Sequence, residues 1–506
     1  MPRDVLLDPA CSSWSVAADL ATALAGDGGD RVVAVPLGEP EGGGDAVARD
    51  ALAVLGLDPS MVLETHEPKP TAGAVTAVLL PPGAHAARRV LLVGTGGGSP
   101  DDWRAAGAAT GRATRGAGSV VHALGPAATG ESLTAWVEGG VLGAWTSPRW
   151  RSGGPVDGAE PAREVVVVVT GDGPDERVRR AVVRARAQLV ARSLALTPSN
   201  TKSPAWLADR AGTLARRLGL AVRVWDERQL ARDGFGGLLA VGGGSATPPR
   251  LVQVDHVPDG ATRRTPHVVL VGKGITFDTG GLQVKPTDGM LGMKTDMSGA
   301  AVVLAAVAAC AELGVPVRVT ALLALAENAV GGASYRPGDV VAQYGGRTVE
   351  IGNTDAEGRI VLADALAYAD AHLDPDAVVD VATLTGAARI ALARVMAPVF
   401  ATDDDLASAL VAAGAASGET LWRMPLPDTY RRALDSDVAD LTHIADGVGG
   451  GAVTAALFLR EFVGERRWAH LDIAGTGRSD VDAGLTAKGG TGFGTRLLLR
   501  WLEEMA

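Results

Sequence analysis

From about residue 220 onward, the chain alternates short apolar runs with longer stretches in which apolar residues recur at helical spacing. The apolar runs LAVRVW, HVVLVGKG, VRVTALLAL and AVVDVATLTG predict strands. The stretches SGAAVVLAAVAACAELG and IVLADALAYADAHL lie between them and predict helices. Strands without a polar face that alternate with helices are typical of a mostly parallel sheet covered on both sides. We therefore predict a large α/β domain with a mostly parallel central sheet flanked by helices.

The first part of the chain has the same character in shorter pieces. RVVAVPL and RVLLVGTGGG predict strands, and the Ala/Gly/Arg-rich segment around residues 104–118 predicts a helix. The passage RSGGPVDGAEPARE is rich in Gly, Pro and acids and precedes the apolar run VVVVV, so we place the domain junction there. We predict an N-terminal α/β domain at 1–165, a strand and connecting helix at 166–197, and a larger domain at 198–506.

Composition and charge exclude several classes of protein. The net charge of the 506 residues is −11, and residues 1–165 hold 12 basic against 19 acidic residues, a poor surface for a phosphate backbone. The sequence contains no run of about 18 apolar residues, so it predicts no membrane span. Two cysteines are too few for a disulfide framework and suit a reducing cytoplasm. Abundant Ala, Gly and Arg is typical of genomic composition bias, and we attach no function to it.

Two routine cofactor signals are missing. The turn VGTGGGS follows a predicted strand, but it lacks the third glycine of a dinucleotide-binding turn and an acid about 20 residues further on. The eight histidines are scattered, and none forms the H-E-x-x-H motif of zinc peptidases. Any metal bound by this chain must therefore be held by oxygen or amine ligands.

Acidic and basic residues cluster in two segments, residues 268–306 and 352–369. The charged residues concerned are Lys273, Asp278, Lys285, Asp296, Asp355, Glu357 and Arg359. The first segment follows a predicted strand, and open α/β sheets place their sites beyond the carboxyl ends of strands. Each acid taken alone could be a helix cap or a loop residue, and each base an ordinary ion-pair partner. Four clustered carboxylates would repel one another, whereas two divalent ions would neutralise them and create a hydrolytic centre.

Three of these stretches, VGKGITFDTGG, KTDMSGAA and NTDAEGRIVLADAL, resemble the signature blocks of the leucyl aminopeptidase (cytosol aminopeptidase) family of dinuclear metallopeptidases. Weaker similarity extends from about residue 190 to the C-terminus. The resemblance implies a macro-like N-terminal α/β domain, a larger C-terminal catalytic α/β domain, and hydrolysis of the N-terminal residue of peptides. It implies a first metal ion held by Asp278, Asp355 and Glu357. A second ion would be held by Lys273, Asp278, Asp296 and Glu357.

The same resemblance implies two catalytic residues. Lys285 would point at the scissile carbonyl oxygen and stabilise the developing oxyanion. Arg359 would hold a bicarbonate ion that serves as general base, a planar anion that a guanidinium fork suits. The residues alone leave other roles open, because Arg359 could instead pair with Glu357 or Asp355, and Lys273 could form a salt bridge with a nearby Asp.

The resemblance also implies a substrate pocket for a leucine-like side chain. The pocket would be lined by Met293, Thr383, Gly386 and Ala474, and the resemblance further implies that Asn353 and Leu384 bind substrate. The pocket members are small or apolar, which suits apolar side chains through burial. Gly477 and Arg478 depart from the family pattern, where a larger apolar or aromatic residue is more common. The resemblance therefore leaves the depth and the side-chain preference of the pocket open.

Several alternatives stay open. Some family members bind DNA as accessory proteins, and a dedicated dipeptidase of a single pathway, for example of Cys-Gly type, would use the same chemistry. Oxygen and amine ligands fit Mn²⁺ or Zn²⁺ among other ions. The resemblance further implies a homohexamer in the cytoplasm, acting on peptides rather than on membranes or nucleic acid.

Overall fold

The computed structural model of the chain describes residues 7–25, 31–39, 45–81, 87–148, 150, 160–445, 447–482, 484–485 and 487–505. The chain forms two compact units, one of residues 1–189 and 481–487 and one of residues 190–480 and 488–506. Most of the passage in which we predict the junction lies outside the described residues. The predicted boundaries at 165 and 197 stay predictions.

The first unit is built on a six-stranded sheet. Its strands are β1 (Ser13–Ala17), β2 (Arg31–Leu37), β3 (Val75–Leu79), β4 (Arg89–Gly94), β5 (Ser119–Ala123) and β6 (Glu164–Val168). Their order is β1-β6-β5-β2-β4-β3, and β3 alone runs antiparallel to its neighbour. The helices are α1 (Leu20–Ala23), α2 (Ala46–Val54), α3 (Pro59–His66), α4 (Pro100–Ala113), α5 (Glu131–Ala144) and α6 (Pro174–Leu196), whose last turns belong to the second unit.

Both faces of this sheet are covered, because successive residues of a strand point to opposite sides. Val32 and Ala34 of β2 pack with Trp103 of α4 and Trp136 of α5 in one core. The intervening strand residues pack with α1, α2 and α3 in a second core. The first unit is therefore an α/β layer structure with an apolar core on each side.

Glycines allow α4 and α5 to pack backbone against backbone. An added Cβ at Gly107 would lie 2.1 Å from the carbonyl oxygen of Trp136, and one at Gly143 would lie 2.1 Å from that of Ala108. Gly111 and Gly139 are equally close to the facing helix. At these positions the high glycine content has a structural reason, which our interpretation of the composition as genomic bias missed.

The second unit is built on an eight-stranded sheet of order β15-β14-β17-β13-β9-β10-β8-β7. Its strands are β7 (Ala221–Trp225), β8 (Arg250–His256), β9 (His267–Asp278), β10 (Arg318–Asn328), β13 (Ala377–Ala382), β14 (Ala397–Ala401), β15 (Leu421–Arg423) and β17 (Trp468–Asp472). Smaller sheets are formed by β11 (Val340–Ala342), β12 (Thr348–Glu350) and β16 (Leu441–Thr442), and by β18 (Arg478–Ser479) and β19 (Gly489–Gly490). The four strands β17, β13, β9 and β10 are mutually parallel. The predicted strands and the mostly parallel centre of the sheet are confirmed.

Ten helices of the described residues belong wholly to this unit. They are α7 (Pro204–Arg217), α8 (Glu227–Asp233), α9 (Gly236–Gly242), α10 (Thr287–Met290), α11 (Ser298–Leu313), α12 (Glu357–His372), α13 (Gly386–Leu392), α14 (Asp404–Ser417), α15 (Gly451–Arg460) and α16 (Thr495–Glu504). Short 3₁₀ turns span Met293–Thr295 and Asp428–Leu434.

Helix α11 is the most deeply buried of the long helices that flank the centre of the sheet. An added Cβ at Gly272 of β9 would lie 2.5 Å from the Cα of Ala300, so helix and strand touch through their backbones. The stretch Thr287–Leu313 is long and apolar enough for a membrane span, but 89% of its apolar window is buried inside the protein. Such burial is what the core helix of an α/β domain shows, and we assign it that role.

Candidate active site

Four neighbouring parallel strands of the large sheet end at one edge. β9 ends at Asp278, β10 at Asn328 and β17 at Asp472, while β13 is followed directly by Thr383. Because these strands run in the same direction, their carboxyl ends meet, and that is where open α/β sheets bind ligands. The polar side chains at this edge form the candidate site.

Three carboxylates from both acid-rich segments converge here. Asp278, Asp355 and Glu357 each offer a carboxylate oxygen, and these oxygens lie within 4.8 Å of one another. Asp278 and Glu357 are buried, and Asp355 is half-buried. Asp278 and Asp355, which are 77 residues apart in the sequence, therefore contribute to one cluster, as the sequence predicts.

Lys273 joins this cluster from the middle of β9. Its Nζ lies 2.8 Å from Oε1 of Glu357 and 2.9 Å from Oδ2 of Asp296, and it donates to the carbonyl oxygen of Thr383 at 2.9 Å. The approach requires Gly358, because a Cβ there would lie 2.6 Å from Cε of the lysine. The chain by itself thus holds Lys273 in ion pairs, which is the alternative role that its sequence left open.

Lys285 reaches the other side of the carboxylate cluster. Its Nζ lies 2.8 Å from Oδ2 of Asp278 and 2.5 Å from Oδ1 of Asp355. The loop between β9 and this lysine turns at Gly280 and Gly281, whose φ angles are +88° and +64°. A Cβ at Gly280 would also lie 2.9 Å from the Asp355 carboxylate, so glycine is required there for space as well as for backbone conformation.

The cluster carries more negative than positive charge. Among the residues that the structure describes, Asp278, Asp296, Asp355 and Glu357 face two ammonium groups, those of Lys273 and Lys285. Burial raises the pKa of three of the acids, and the pKa of Asp296 reaches about 8. Burial alone would lower the pKa of both lysines, but the carboxylates outweigh it and raise the pKa of each above its usual value. Additional cations would relieve this excess of buried negative charge.

The start of α12 excludes a capping role for Asp355. The helix begins at Glu357, its N-cap residue is Ala356, and within the described chain no side chain forms a capping hydrogen bond there. The Asp355 carboxylate faces Lys285 instead. Capping, the simplest reading of an acid before a helix, is wrong for this residue.

Arg359 lies buried in the first turn of α12. Its Nη1 donates to the carbonyl oxygen of His443 at 2.7 Å, and Nε has no hydrogen-bond partner in the part of the chain that the structure describes. Burial lowers the pKa of Arg359 to about 10, against the opposing effect of Glu357. The described residues place no ion pair between Arg359 and Glu357 or Asp355, so a guanidinium N–H remains available for an anion.

The residues expected to bind substrate surround the carboxylate cluster. Thr383 Oγ1 donates to Oδ1 of Asp296 at 2.6 Å. The backbone N–H groups of Leu384 and Ala474 both donate to Oδ1 of Asp472 at 3.1 Å. Asp472 therefore holds together two of the loops that follow the strands.

Three further residues of the expected substrate site lie on the same loops. Met293 begins the short 3₁₀ turn that leads to Asp296, whose N–H donates to the Met293 carbonyl at 3.1 Å. The side chain of Asn353 accepts from the N–H of Asp355 at 2.8 Å. Gly386 begins α13, and a Cβ added there would meet nothing within 4 Å. The space in front of Gly386 is therefore open.

The two departures from the family pattern lie beside the expected pocket. A Cβ at Gly477 would lie 3.2 Å from Cγ2 of Thr383, so this glycine borders a predicted pocket residue. The guanidinium of Arg478 lies against Gly292, next to Met293, and its Nη2 is 3.2 Å from Oδ1 of Asp480. Arg478 is thus partly neutralised by an acid of its own segment.

Three residues at this edge were missed by sequence reasoning. Asn328 donates to Asp278, Asp472 accepts from the loop after β13, and His443 contacts both Arg359 and the carbonyl of Asn353. Asn328 and Asp472 each end an apolar strand, so the rule that located Asp278 would also have found them. His443 had no such signal in the sequence.

Comparison with known proteins agrees with this geometry. Residues 189–499 match the sequence model described as "Cytosol aminopeptidase family, catalytic domain", and residues 59–153 match the one for the N-terminal domain of the same family. The chain belongs to the cytosol aminopeptidase family. The resemblance found from the sequence motifs and the predicted two-domain α/β fold are confirmed.

Curated relatives from the cytosol aminopeptidase family match over most of their length. A probable cytosol aminopeptidase of Leifsonia xyli subsp. xyli is 46% identical over 437 residues, which is 84% of this chain and 87% of that protein. A probable cytosol aminopeptidase of Streptomyces avermitilis is 44% identical over 466 residues, which is 88% of this chain and 89% of that protein.

Solved structures give the same family fold. The bottromycin maturation enzyme BotP has a TM-score of 0.81 and 37% identity, covering 94% of this chain and 99% of its own, and a second structure shows BotP in complex with Mn. A tomato leucine aminopeptidase mutant has a TM-score of 0.81 and 30% identity, covering 97% of this chain and 96% of its own.

As a member of the cytosol aminopeptidase family, the protein is an aminopeptidase, a hydrolase of the metallo-exopeptidase class. The predicted activity is therefore confirmed. The individual metal ligands, the catalytic pair and the substrate residues stay predictions, and so do the identity of the metal, the oligomeric state and the cellular location.

Proposed function

We propose that this aminopeptidase removes apolar, leucine-like residues from the N-terminus of peptides at a site for two divalent metal ions. One ion would be held by Asp278, Asp355 and Glu357. The other would be held by Lys273, Asp278, Asp296 and Glu357. The convergence of the carboxylates of Asp278, Asp355 and Glu357 within 4.8 Å, beside the buried Asp296, carries the proposal.

The chemistry of the donor set fits such ions. Carboxylate oxygens are ligands that Mn²⁺, Mg²⁺ and Zn²⁺ all accept. The excess of buried carboxylates over ammonium groups is costly without further cations, because a buried charge needs a partner. The solved complex of BotP with Mn, a protein 36% identical to this chain, supports Mn²⁺, and Zn²⁺ is the alternative. Two such ions, when bound, lower the pKa of water between them and polarise the substrate carbonyl.

Two residues of the chain would supply the other catalytic functions, stabilisation of the oxyanion and binding of a general base. Lys285, whose pKa the neighbouring carboxylates raise against the effect of burial, stays charged at neutral pH and can stabilise negative charge developing on the scissile carbonyl oxygen. Arg359 has a buried N–H to offer, and a planar anion such as bicarbonate suits a guanidinium. Held by Arg359, such an anion would supply a general base to the site.

Restriction to the N-terminal residue has a geometric reason. Only a residue with a free α-amine can be anchored by that amine at the metal site while its carbonyl carbon meets the attacking water. The side chain would enter the space bordered by Met293, Thr383, Gly386 and Ala474, with Asn353 and Leu384 lining the path of the substrate backbone. We further propose that the enzyme works in the cytoplasm as a homohexamer.

A turnover screen tests this function. N-terminal aminoacyl amides are assayed after chelator treatment, and again after addition of Mn²⁺ or Zn²⁺. We expect activity only with metal, highest with leucine-like amides, and a loss of at least about a thousandfold in Asp355→Ala, more than the tenfold to hundredfold that outer-shell groups supply.

Asp405→Ala provides the matched control, because this acid is exposed on α14, away from the site. The control should keep the activity of the unchanged protein. Full turnover without metal, or an Asp355→Ala protein with unimpaired activity, would contradict the dinuclear mechanism.

A second candidate is a dedicated peptide substrate. The similarity to BotP, named as a maturation enzyme, favours it, and so does the departure from the family pattern at Gly477, which borders Thr383. Adding longer peptides to the screen separates the two, since a dedicated enzyme would hydrolyse simple aminoacyl amides slowly and would prefer one longer peptide by orders of magnitude.

A further inference from the structure

Asn328 occupies a distinctive position between the two halves of the carboxylate cluster. It is the last residue of β10 and fully buried. The register of β10 against β9 shifts between Ala326 and Asn328, and this irregularity places Asn328 directly opposite Asp278. Strand irregularities of this kind re-aim a side chain next to active sites.

The side-chain amide of Asn328 donates to both ligand-bearing segments. Its Nδ2 lies 2.9 Å from Oδ1 of Asp278, on the first segment, and 3.0 Å from the carbonyl oxygen of Thr354, on the second. A third acceptor, Oε2 of Glu357, lies at 3.5 Å. An amide nitrogen has two hydrogens, so the two short contacts use both of them.

These donations fix which way the Asp278 carboxylate points. Oδ1 accepts from Asn328 and from the backbone N–H of Gly280 at 2.8 Å. Oδ2 is left to face Lys285 and the centre of the cluster. A carboxylate whose two oxygens are assigned in this way is held in one orientation by groups that do not themselves bind a cation.

Position 328 requires a side chain that donates two hydrogen bonds within a small space. An aspartate would offer only acceptors and would repel Asp278, and an apolar residue of similar size would leave two buried acceptors short of a donor. Space is also limited, because a Cβ at Gly281 would lie 2.9 Å from Oδ1 of Asn328. The position therefore selects a compact side chain with two N–H donors.

We infer that Asn328 is a positioning residue that orients Asp278 for cation binding and ties it to the segment carrying Asp355 and Glu357. This inference rests on the metal site of the proposed function. Outer-shell partners of metal ligands typically contribute tenfold to hundredfold in metal affinity. We expect an effect of that size from Asn328, although it contacts no cation itself.

Tyr335 provides a matched control. Its hydroxyl donates to the same Thr354 carbonyl at 2.8 Å, but it has no described hydrogen bond to a carboxylate of the cluster. Tyr335→Phe therefore removes one buried donor from the Thr354 loop without touching Asp278. A residue that merely anchors this loop should resemble Tyr335 in its effect.

The test measures Mn²⁺ affinity directly, by isothermal titration calorimetry on the chelator-treated full-length chain, with melting temperatures recorded in chelator. The variants are Asn328→Ala, Asn328→Ser and Tyr335→Phe. We expect Asn328→Ala to weaken Mn²⁺ binding about tenfold to a hundredfold and Tyr335→Phe less than about threefold. Should Asn328→Ala fail to fold, Asn328→Ser carries the same expectation, because its short hydroxyl cannot reach both acceptors.

The outcomes separate the inference from the function on which it rests. If the unchanged protein binds no Mn²⁺ or Zn²⁺, the proposed metal site itself fails. If it binds metal but the Asn328 variants bind it equally well, or if Tyr335→Phe weakens binding just as much, the positioning role of Asn328 is overturned. Selective weakening in the Asn328 variants supports it.

Discussion

Both units of this aminopeptidase bury charged side chains, but they balance them differently. In the first unit, Glu138 is buried with Arg184 at 3.0 Å and Arg104 at 3.7 Å, so the buried acid has cationic partners on both sides. In the second unit, the acids of the cluster outnumber the ammonium groups around them. A buried acid that is paired with arginines stabilises the fold, whereas a surplus of buried acids marks a place where the protein requires cations that the chain itself does not supply. Substitutions in the two units test this distinction.

Apart from the loss of the proposed metal ligand Asp355, Lys285→Ala should have the largest effect on catalysis. Removal of one group that stabilises an oxyanion costs about 10²–10³ in kcat. We expect that loss with little change in KM, measured by steady-state kinetics with Mn²⁺ present. A loss confined to KM would instead assign Lys285 to ground-state binding.

Glu138→Ala should affect stability and leave chemistry alone. The change removes the buried carboxylate that Arg184 and Arg104 share, while Arg104 keeps its ion pair with Asp101. Breaking a buried ion pair costs about 3–5 kcal/mol of unfolding free energy. Denaturant unfolding measures it, and Glu176→Ala is the control, because the pair of Glu176 with Arg179 is exposed and worth about 0–1 kcal/mol. If Glu138→Ala also weakened Mn²⁺ binding by the folded protein, the division between structural and functional charges would fail.

Low pH should destabilise both units, because each contains a buried histidine whose pKa is lowered by folding, His122 in the first unit and His443 in the second. Burial lowers the pKa of His122 to about 3, and burial together with Arg359 lowers the pKa of His443 to about 4. The unfolded chain takes up these protons near pH 6.5, so stability is fully present above about pH 6.5 and falls as the pH drops.

By pH 5, each of these histidines should cost about 2 kcal/mol. Unfolding free energies at pH 7.5 and pH 5 check this for the unchanged protein, for His122→Gln and for His443→Gln. In each variant, the decrease in unfolding free energy from pH 7.5 to pH 5 should be smaller by about 2 kcal/mol than in the unchanged protein. A variant with the full dependence would show that its histidine does not stay neutral in the folded state.

A pair of glycine substitutions should give the smallest effect and the sharpest contrast. Gly358→Ala places a methyl group 2.6 Å from Cε of Lys273, so we expect about 1–3 kcal/mol of destabilisation and weakened metal binding. Gly386→Ala meets nothing within 4 Å and should change stability by less than about 0.5 kcal/mol. Its effect should appear only as a higher KM for bulky N-terminal residues. Equal metal affinities of the two variants would contradict the close fit of Lys273.

The sequence predicted the strands β7, β9, β10 and β13 and the helices α11 and α12 because each depends on a local pattern. The seven charged residues lie in two short segments, and their individual roles stay predictions. Alternation of apolar runs and helical spacing locates the sheet, and acids after strands point to its edge. The capping interpretation of Asp355 failed because the choice between a helix N–H and Lys285 depends on a loop 70 residues away. Local pattern does not report on such long-range competition.

The glycines of α4 and α5 and the role of Asn328 were beyond reach for a related reason. Gly107 and Gly139 are needed only because two helices pack at that spot, and in the sequence they look like excess composition. Asn328 acquires its role from a one-residue irregularity in strand pairing and from the approach of Thr354. Both are properties of tertiary contacts.

The order of the site segments along the chain also bears on how the protein is made. Lys273 and Asp278 leave the ribosome well before Asp355 and Glu357, and Thr383, which accepts from Lys273, comes later still. The strand β17, which pairs with β13 in the middle of the sheet, is synthesised after all of these residues. A nascent chain that has not yet reached β17 therefore lacks a central strand of the sheet that supports the site.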